Sequence, residues 1–229
     1  MKKFMAIGLF SSILCGAESE VNFIKPPIKS EVEVNFAKTQ TNTVDRTLSQ
    51  FKGKTKYTTD TDEYILKGIY EQESGDKHST MYNLSALNEH YFGDRSGVYG
   101  KFTIFKDTNR YLNQSEKYNV GMLYKYNSNL KARIGYEIQD KSYFTQDSTE
   151  QYIKIGFISS YKALEAILDR NVRVSKGGSN STELDLSTKL YEDKGLFVKF
   201  SCNYYKEDKP ILAQSKSDLK TLIGVGYEF

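Results

Sequence analysis

The chain has no tryptophan, two histidines, two cysteines and three prolines in 229 residues. Each shortage excludes something. Cys15 lies in an apolar N-terminal stretch, so Cys202 stands alone and no intrachain disulfide framework can staple the fold. So few histidines and cysteines leave no metal-ligand spacing. No Walker or dinucleotide glycine loop is present, and KGGSN at 176–180 reads as a turn between strands. The sequence therefore implies no cofactor. A Ser-His-acid hydrolase needs its groups within reach. His78 falls in a predicted outer loop and His90 on the outward face near the opposite end of the next strand, with no serine paired to either. That argues against an enzyme and leaves a membrane-embedded lipid hydrolase as a minor alternative.

The N-terminus is the one place where apolar residues run together. Lys2 and Lys3 precede FMAIGLFSSILCGA, with small residues toward its end. This pattern predicts an export signal at 1–17, cleaved after Ala17. Leu14 stands where lipid modification of Cys15 needs a small residue, which argues against a lipoprotein. No later run is long and apolar enough for a transmembrane helix. Loss of Lys2 and Lys3 takes the formal charge of +3 down to about +1, which gives no bulk argument for nucleic-acid binding.

What is abundant is alternation. LKARIGYEIQ places Leu130, Ala132, Ile134, Tyr136 and Ile138 on one face, and Lys131, Arg133, Gly135, Glu137 and Gln139 on the other. KYNVGMLYKY, STELDLSTKLY and GLFVKFSCNYY repeat the pattern. A period of two is the signature of strands. It predicts about twelve of them, at 31–41, 46–58, 63–73, 79–92, 98–108, 115–126, 129–140, 149–160, 163–174, 181–192, 195–206 and 219–229, with ten as the alternative count. Arg170 lands on the apolar face of the ninth. Most exceed the ~5–6 residues usual in soluble sheets and suit tilted strands of about 9–11 residues that cross a bilayer.

Short connections (TDTD, GDRSG, NSN, YKA, EDKG) alternate with mostly longer, more polar ones such as KSYFTQDS and EDKPILAQSKSD. This is the rhythm of an up-and-down transmembrane barrel with short periplasmic turns and longer outer loops. The fold predicted is all-β: a closed antiparallel barrel over 31–229, preceded by a periplasmic lead at 18–30 in which Pro26 and Pro27 mark the boundary. Tyr57, Tyr64, Tyr70, Tyr82, Tyr118, Tyr126 and Tyr204 fall near the ends of outward faces, where a ring bridges hydrocarbon and headgroups. The natural surroundings of such a barrel are outer-membrane lipid.

Thr221, Ile223, Val225, Tyr227 and Phe229 alternate in the final stretch. Tyr227 and Phe229 resemble the assembly signal of outer-membrane barrels, which implies recognition by the outer-membrane insertion machinery. VNFAKTQTNT at 34–43, VYGKFTIFKDTNRY at 98–111 with its aspartate at Asp107, YNVGMLYKY and ARIGYEI resemble the salt-stress-induced, YdiY-like family of outer-membrane proteins. The likeness covers roughly 31–141 and the last strand, and the family's turn glycine is absent from Thr39-Gln40-Thr41-Asn42-Thr43. It implies a barrel in the outer membrane and little about activity.

The inward face carries the candidate site. Lys52, Lys54, Lys56, Lys67, Lys101, Lys117, Lys125, Lys131, Arg133 and Lys154 line strands 2 to 8, and Glu165, Asp169, Glu183 and Asp185 lie on strands 9 and 10. Closure sets the two arcs opposite one another, as a transverse field suited to small polar or charged solutes. The alternatives are a barrel plugged by ion-paired side chains, and an interaction or adhesion protein acting through outer loops such as 206–218, with its Pro210-Ile211-Leu212 patch.

Overall fold

The computed structural model describes residues 28–40, 45–75, 78–108, 112–144, 147–175, 179–208 and 217–229. The predicted signal peptide, the prolines of the lead, the turn at 41–43 and the Pro210-Ile211-Leu212 patch lie outside them.

Among the described residues the chain forms twelve strands. They are β1 (Ile28–Gln40), β2 (Asp45–Thr58), β3 (Asp62–Gly75), β4 (Ser79–Tyr91), β5 (Ser96–Asp107), β6 (Leu112–Asn127), β7 (Leu130–Tyr143), β8 (Asp147–Tyr161), β9 (Leu164–Arg173), β10 (Ser181–Asp193), β11 (Leu196–Glu207) and β12 (Ser217–Glu228). Each pairs antiparallel with its sequence neighbours, and β1 pairs with β12 to close the barrel. The closing ladder joins Glu31 with Glu228 and runs to Phe36 with Ile223. Ser30 and Phe229 exchange both backbone hydrogen bonds at 2.9 Å. In hydrocarbon each unpaired backbone group costs several kcal/mol, so an open edge is not tolerated and closure is obligatory.

Alternation fixes which residues face lipid. Val34 pairs with Phe51, Phe51 with Tyr70 and Tyr70 with Tyr82, and this outward parity continues around the wall. The outer surface exposes Phe36, Leu84, Val120, Met122, Ile134, Phe157, Ile223 and Val225. Tyr126, Tyr161, Tyr191, Tyr227 and Phe229 crowd the end with the short turns, while Tyr70, Tyr82, Tyr118 and Phe144 mark the other end. An apolar band between two aromatic girdles is the surface of a transmembrane barrel. Water would not hold a folded chain with so large a continuous apolar exterior.

The turn end is tight. Lys194 and Gly195 have φ of 47° and 84° between β10 and β11, the left-handed pair that a two-residue type I′ hairpin requires. Gly226 serves the inner face of the closing strand. A Cβ there would strike the ring of Phe197 and the carbonyl of Val32. Phe197 is fully buried inside the wall, with Lys189 Nζ 4.8 Å above its ring.

Two expectations are corrected. The lead is shorter than 18–30, because Ile28–Ser30 already belong to β1 and pair with Tyr57, Lys56 and Thr55. Strands also run further at the loop end. β6 starts at Leu112 and β7 continues to Tyr143, so part of each predicted loop is ladder. The cause is visible in the polar pairs that hold these extensions: Thr149 Oγ1 donates to Asp140 at 2.7 Å, and Lys141 meets Glu150 at 2.5 Å. The outward Arg170 sits close to the loop end, where it donates to Thr182 Oγ1 and Asp208, at 2.6 and 3.0 Å. Those partners let it stand beside a lipid-facing strand.

Candidate pore

The inward parity of all twelve strands converges on one cavity of about 1030 Å³. It reaches from residues of the turn end (Thr59, Asp60, Asp94, Ser128) to residues of the loop end (Tyr143, Ser179, Tyr205, Lys220). Lys52, Lys54, Lys56, Lys67, Lys101, Lys117, Lys125, Lys131, Arg133, Lys154, Glu165, Asp169, Glu183 and Asp185 all line it. Each stands on the cavity side of its strand. His78 and His90 stand at opposite ends of β4, and His90 Nδ1 lies 3.0 Å from Asp62 on the outer side.

The two-arc picture of the charges needs correction. Acids are not confined to β9 and β10. Glu33, Glu63, Glu71, Glu89, Glu137 and Glu150 also line the lumen or its wall, on β1, β3, β4, β7 and β8. Several neutralise the lysine arc directly. Uncompensated lysines on adjacent strands repel one another at these spacings, so interleaved carboxylates relieve the strain of a purely cationic wall.

Near the turn end, Glu89 is fully buried and accepts from Lys131 at 2.5 Å, from Arg133 and from Tyr91 Oη at 2.6 Å. Lys56 meets Glu63 at 2.6 Å. Glu89 is on β4 and Arg133 on β7, so this bond reaches past β5 and β6, a quarter of the way around the ring of twelve strands. Near the loop end, Lys220 on β12 reaches Glu71 on β3 at 2.5 Å, and Gln50 Nε2 donates to the same carboxylate at 2.8 Å. Glu150 there accepts from Arg173 at 2.9 Å and from Tyr152. Along the closing seam Glu33 takes Lys52 and Lys199, each at 3.3 Å.

Elsewhere the lumen is less fully paired. Lys154 pairs with Asp169 at 3.0 Å. Lys54, Lys67, Lys101, Lys117 and Lys125 have no carboxylate within 4.0 Å among the described residues, and neither Glu137, Glu165 nor Glu183 has a cation within that distance. Asp185 accepts from Asn203 at 2.6 Å. Lys101 nevertheless interacts with Glu183, Lys117 with Glu183 and Glu137, and Asp185 with Lys67 and Lys52. Lys117 and Glu137 are on adjacent strands, but the other partners sit on strands well separated around the wall, so there opposite charges face each other across a narrow passage.

Sequence reasoning missed the pairing, not the orientation. Glu137 was legible on the inward face of its strand. That Glu89 meets Arg133, three strands away, depends on barrel width and tilt, which periodicity does not contain.

No family model matches the sequence, and no curated protein matches it. Among solved structures, the KdgM porin in complex with disordered oligogalacturonate superposes with a TM-score of 0.52 at 9% identity, covering 87% of this chain and 99% of that one. The NanC porin gives 0.52 at 9%, covering 86% and 98%. At such identity the likeness speaks to architecture alone: the chain is a closed antiparallel barrel with the fold of outer-membrane porins.

Proposed function

We propose that the protein is a narrow pore of the outer membrane for small polar or charged solutes. One observation carries this reading. A single cavity extends from the turn end to the loop end, and its lining presents charges of both signs that are not consumed in direct pairs. A lumen filled by an apolar core or by fully paired charges has no use for such groups. The fold shared with porins supports the reading, one of them the KdgM porin in complex with disordered oligogalacturonate. The export pattern and the aromatic pair Tyr227 and Phe229, stacked at 6.1 Å on the lipid side, support an outer-membrane address and insertion by its assembly machinery. A part in envelope stress adaptation rests on the family resemblance and is the physiological setting we propose for the pore.

Planar-bilayer recording of folded protein tests the proposal, with folding verified by heat-modifiable gel migration. Discrete conductance is expected. Its selectivity should shift toward cations when Lys67 and Lys101 are both replaced by Glu, since both line the lumen with no carboxylate within 4.0 Å among the described residues. Folded protein without conductance refutes the pore.

A second reading has its own observation. The bonds of Glu89 to Lys131 and Arg133 gather side chains over β5 and β6 and narrow the lumen at the turn end, as the start of a plug would. Silent wild-type protein that conducts as Glu89→Gln establishes a barrel closed at its turn end, acting as a structural or loop-mediated interaction protein.

A further inference from the structure

Most lumenal ion pairs close to contact. Lys56 meets Glu63 at 2.6 Å, Lys131 meets Glu89 at 2.5 Å and Lys220 meets Glu71 at 2.5 Å. Lysine and glutamate chains are thus long enough to find each other in this barrel. Elsewhere in the lumen some do not. Lys101 and Lys117 stand on β5 and β6, Glu137 on β7 and Glu183 on β10, all without a direct ionic partner among the described residues.

Asn119 lies at the centre of this arrangement. It is paired in register with Lys101 on one side and with Glu137 on the other, and it follows Lys117 by two positions on β6. It lines the cavity and is only 2% exposed, yet neither Nδ2 nor Oδ1 has a hydrogen-bond partner. Buried amides are ordinarily satisfied, and one left open in both its donor and its acceptor calls for a ligand or ordered water. Lys101, Asn119 and Glu137 therefore form a row of cation, amide and carboxylate, with Glu183 interacting with both lysines from another wall.

We propose that this row is a binding site for a small zwitterion carrying a carboxylate and an ammonium group, as an α-amino acid does. The assignment rests on the pore reading above and names its solute class. A simple anion gains from Lys101 and Lys117 but is opposed by Glu137 and Glu183. A simple cation meets the reverse. A neutral polar solute can hydrogen-bond to these groups but compensates none of their charges. A zwitterion places its carboxylate on the lysines and on Asn119 Nδ2, and its ammonium on the glutamates and on Asn119 Oδ1. It is the solute class that compensates every open group at once, and the opposed charges orient it as it passes.

Swelling of proteoliposomes in isosmotic alanine or lactamide tests the site, with the rates of protein-free liposomes subtracted. The two solutes are isomers, so size is held constant while only alanine is zwitterionic at neutral pH. Wild-type protein should admit alanine at least about tenfold faster, the lower end of what a focused field gives. Asn119→Leu, Lys101→Met and Glu183→Gln, each verified as folded by heat-modifiable migration, should bring the ratio close to one. Equal rates for the isomers in wild-type protein overturn the site while leaving the pore intact. A preference kept by all three variants overturns its assignment to these residues. A folded barrel that admits neither isomer and passes no current overturns the pore reading, and the site with it.

Discussion

Replacing Glu89 with Gln isolates what a buried lumenal carboxylate contributes. The substitution keeps volume and leaves an oxygen for Tyr91, but it removes the charge shared by Lys131 and Arg133. Glu89 is fully buried and the two cations are each 17% exposed at the side chain. Breaking a fully buried ion pair by removing one partner costs about 3–5 kcal/mol. Lumenal water can rehydrate Lys131 and Arg133 in part, which lowers the expectation to about 2–3 kcal/mol. At 1.4 kcal/mol per factor of ten, the unfolding equilibrium shifts by roughly 30- to 150-fold. The chain has no tryptophan, so unfolding in urea is best followed by the migration of unboiled samples, with circular dichroism as a second probe. Glu165→Gln is the matched control. That carboxylate also lines the lumen but has no cation within 4.0 Å, so its loss should stay within about 0.5 kcal/mol. A Glu89→Gln midpoint indistinguishable from the Glu165→Gln midpoint refutes the reasoning. It would mean that water, not Glu89, satisfies these cations.

Two further outcomes follow from local geometry. Gly226→Val should destabilise the closing seam by about 1–3 kcal/mol, the range for overpacking, because its Cβ meets the Phe197 ring and the Val32 carbonyl. Adding Phe197→Ala should recover part of that loss in the same urea titration, and a neutral Gly226→Val would show that the wall yields there. At the loop end, the hydrogen bond from Arg170 holds the carboxyl of Asp208 below the usual carboxylate range. The contact is therefore present above that range and lost as pH falls through the lowered value. Carbon-13 NMR of the carboxyl should show Asp208 titrating higher in Arg170→Met, and an unchanged midpoint would dismiss the pairing.

The sequence reveals the barrel because a two-sided environment writes a period of two into each strand. On β7, Ile134 and Ile138 face lipid while Arg133 and Glu137 face the lumen, as the alternation alone predicts. Strand ends at the loop side were less legible. Leu112–Gln114 and Lys141–Tyr143 are polar enough to read as loop, yet they stay in the ladder because cross-strand pairs hold them. Ion pairing was the least legible of all. The bond from Glu89 to Arg133 requires a known separation between β4 and β7, a property of closure and strand tilt rather than of any segment. Asn119 gave no sign of its open amide for the same reason. Its environment is made by β5 and β7, not by its own neighbours on β6.

The distribution of pairs along the passage separates two properties that a pore usually mixes. Direct ion pairs gather toward the ends, at Glu89 on the turn side and at Glu71 and Glu150 on the loop side; those of Glu89 and Glu71 reach past two intervening strands, while those of Glu150 join adjacent strands. A paired charge occupies space but exerts little field, because its partner cancels it at a distance. The end networks therefore set how wide the passage is and how firmly the wall is held. Charges with no direct ionic partner among the described residues lie away from these networks, as at Lys67, Lys101, Lys117 and Glu183, and each projects a field into the lumen. In the proposed pore they are the groups that would select what passes. Glu89→Gln should then alter the size of the conductance while leaving its ion preference in place. Lys67→Glu with Lys101→Glu should alter the preference with a smaller effect on size. If both variants change preference equally, the end networks carry field into the passage, and the division between gate and filter drawn from their pairing is wrong.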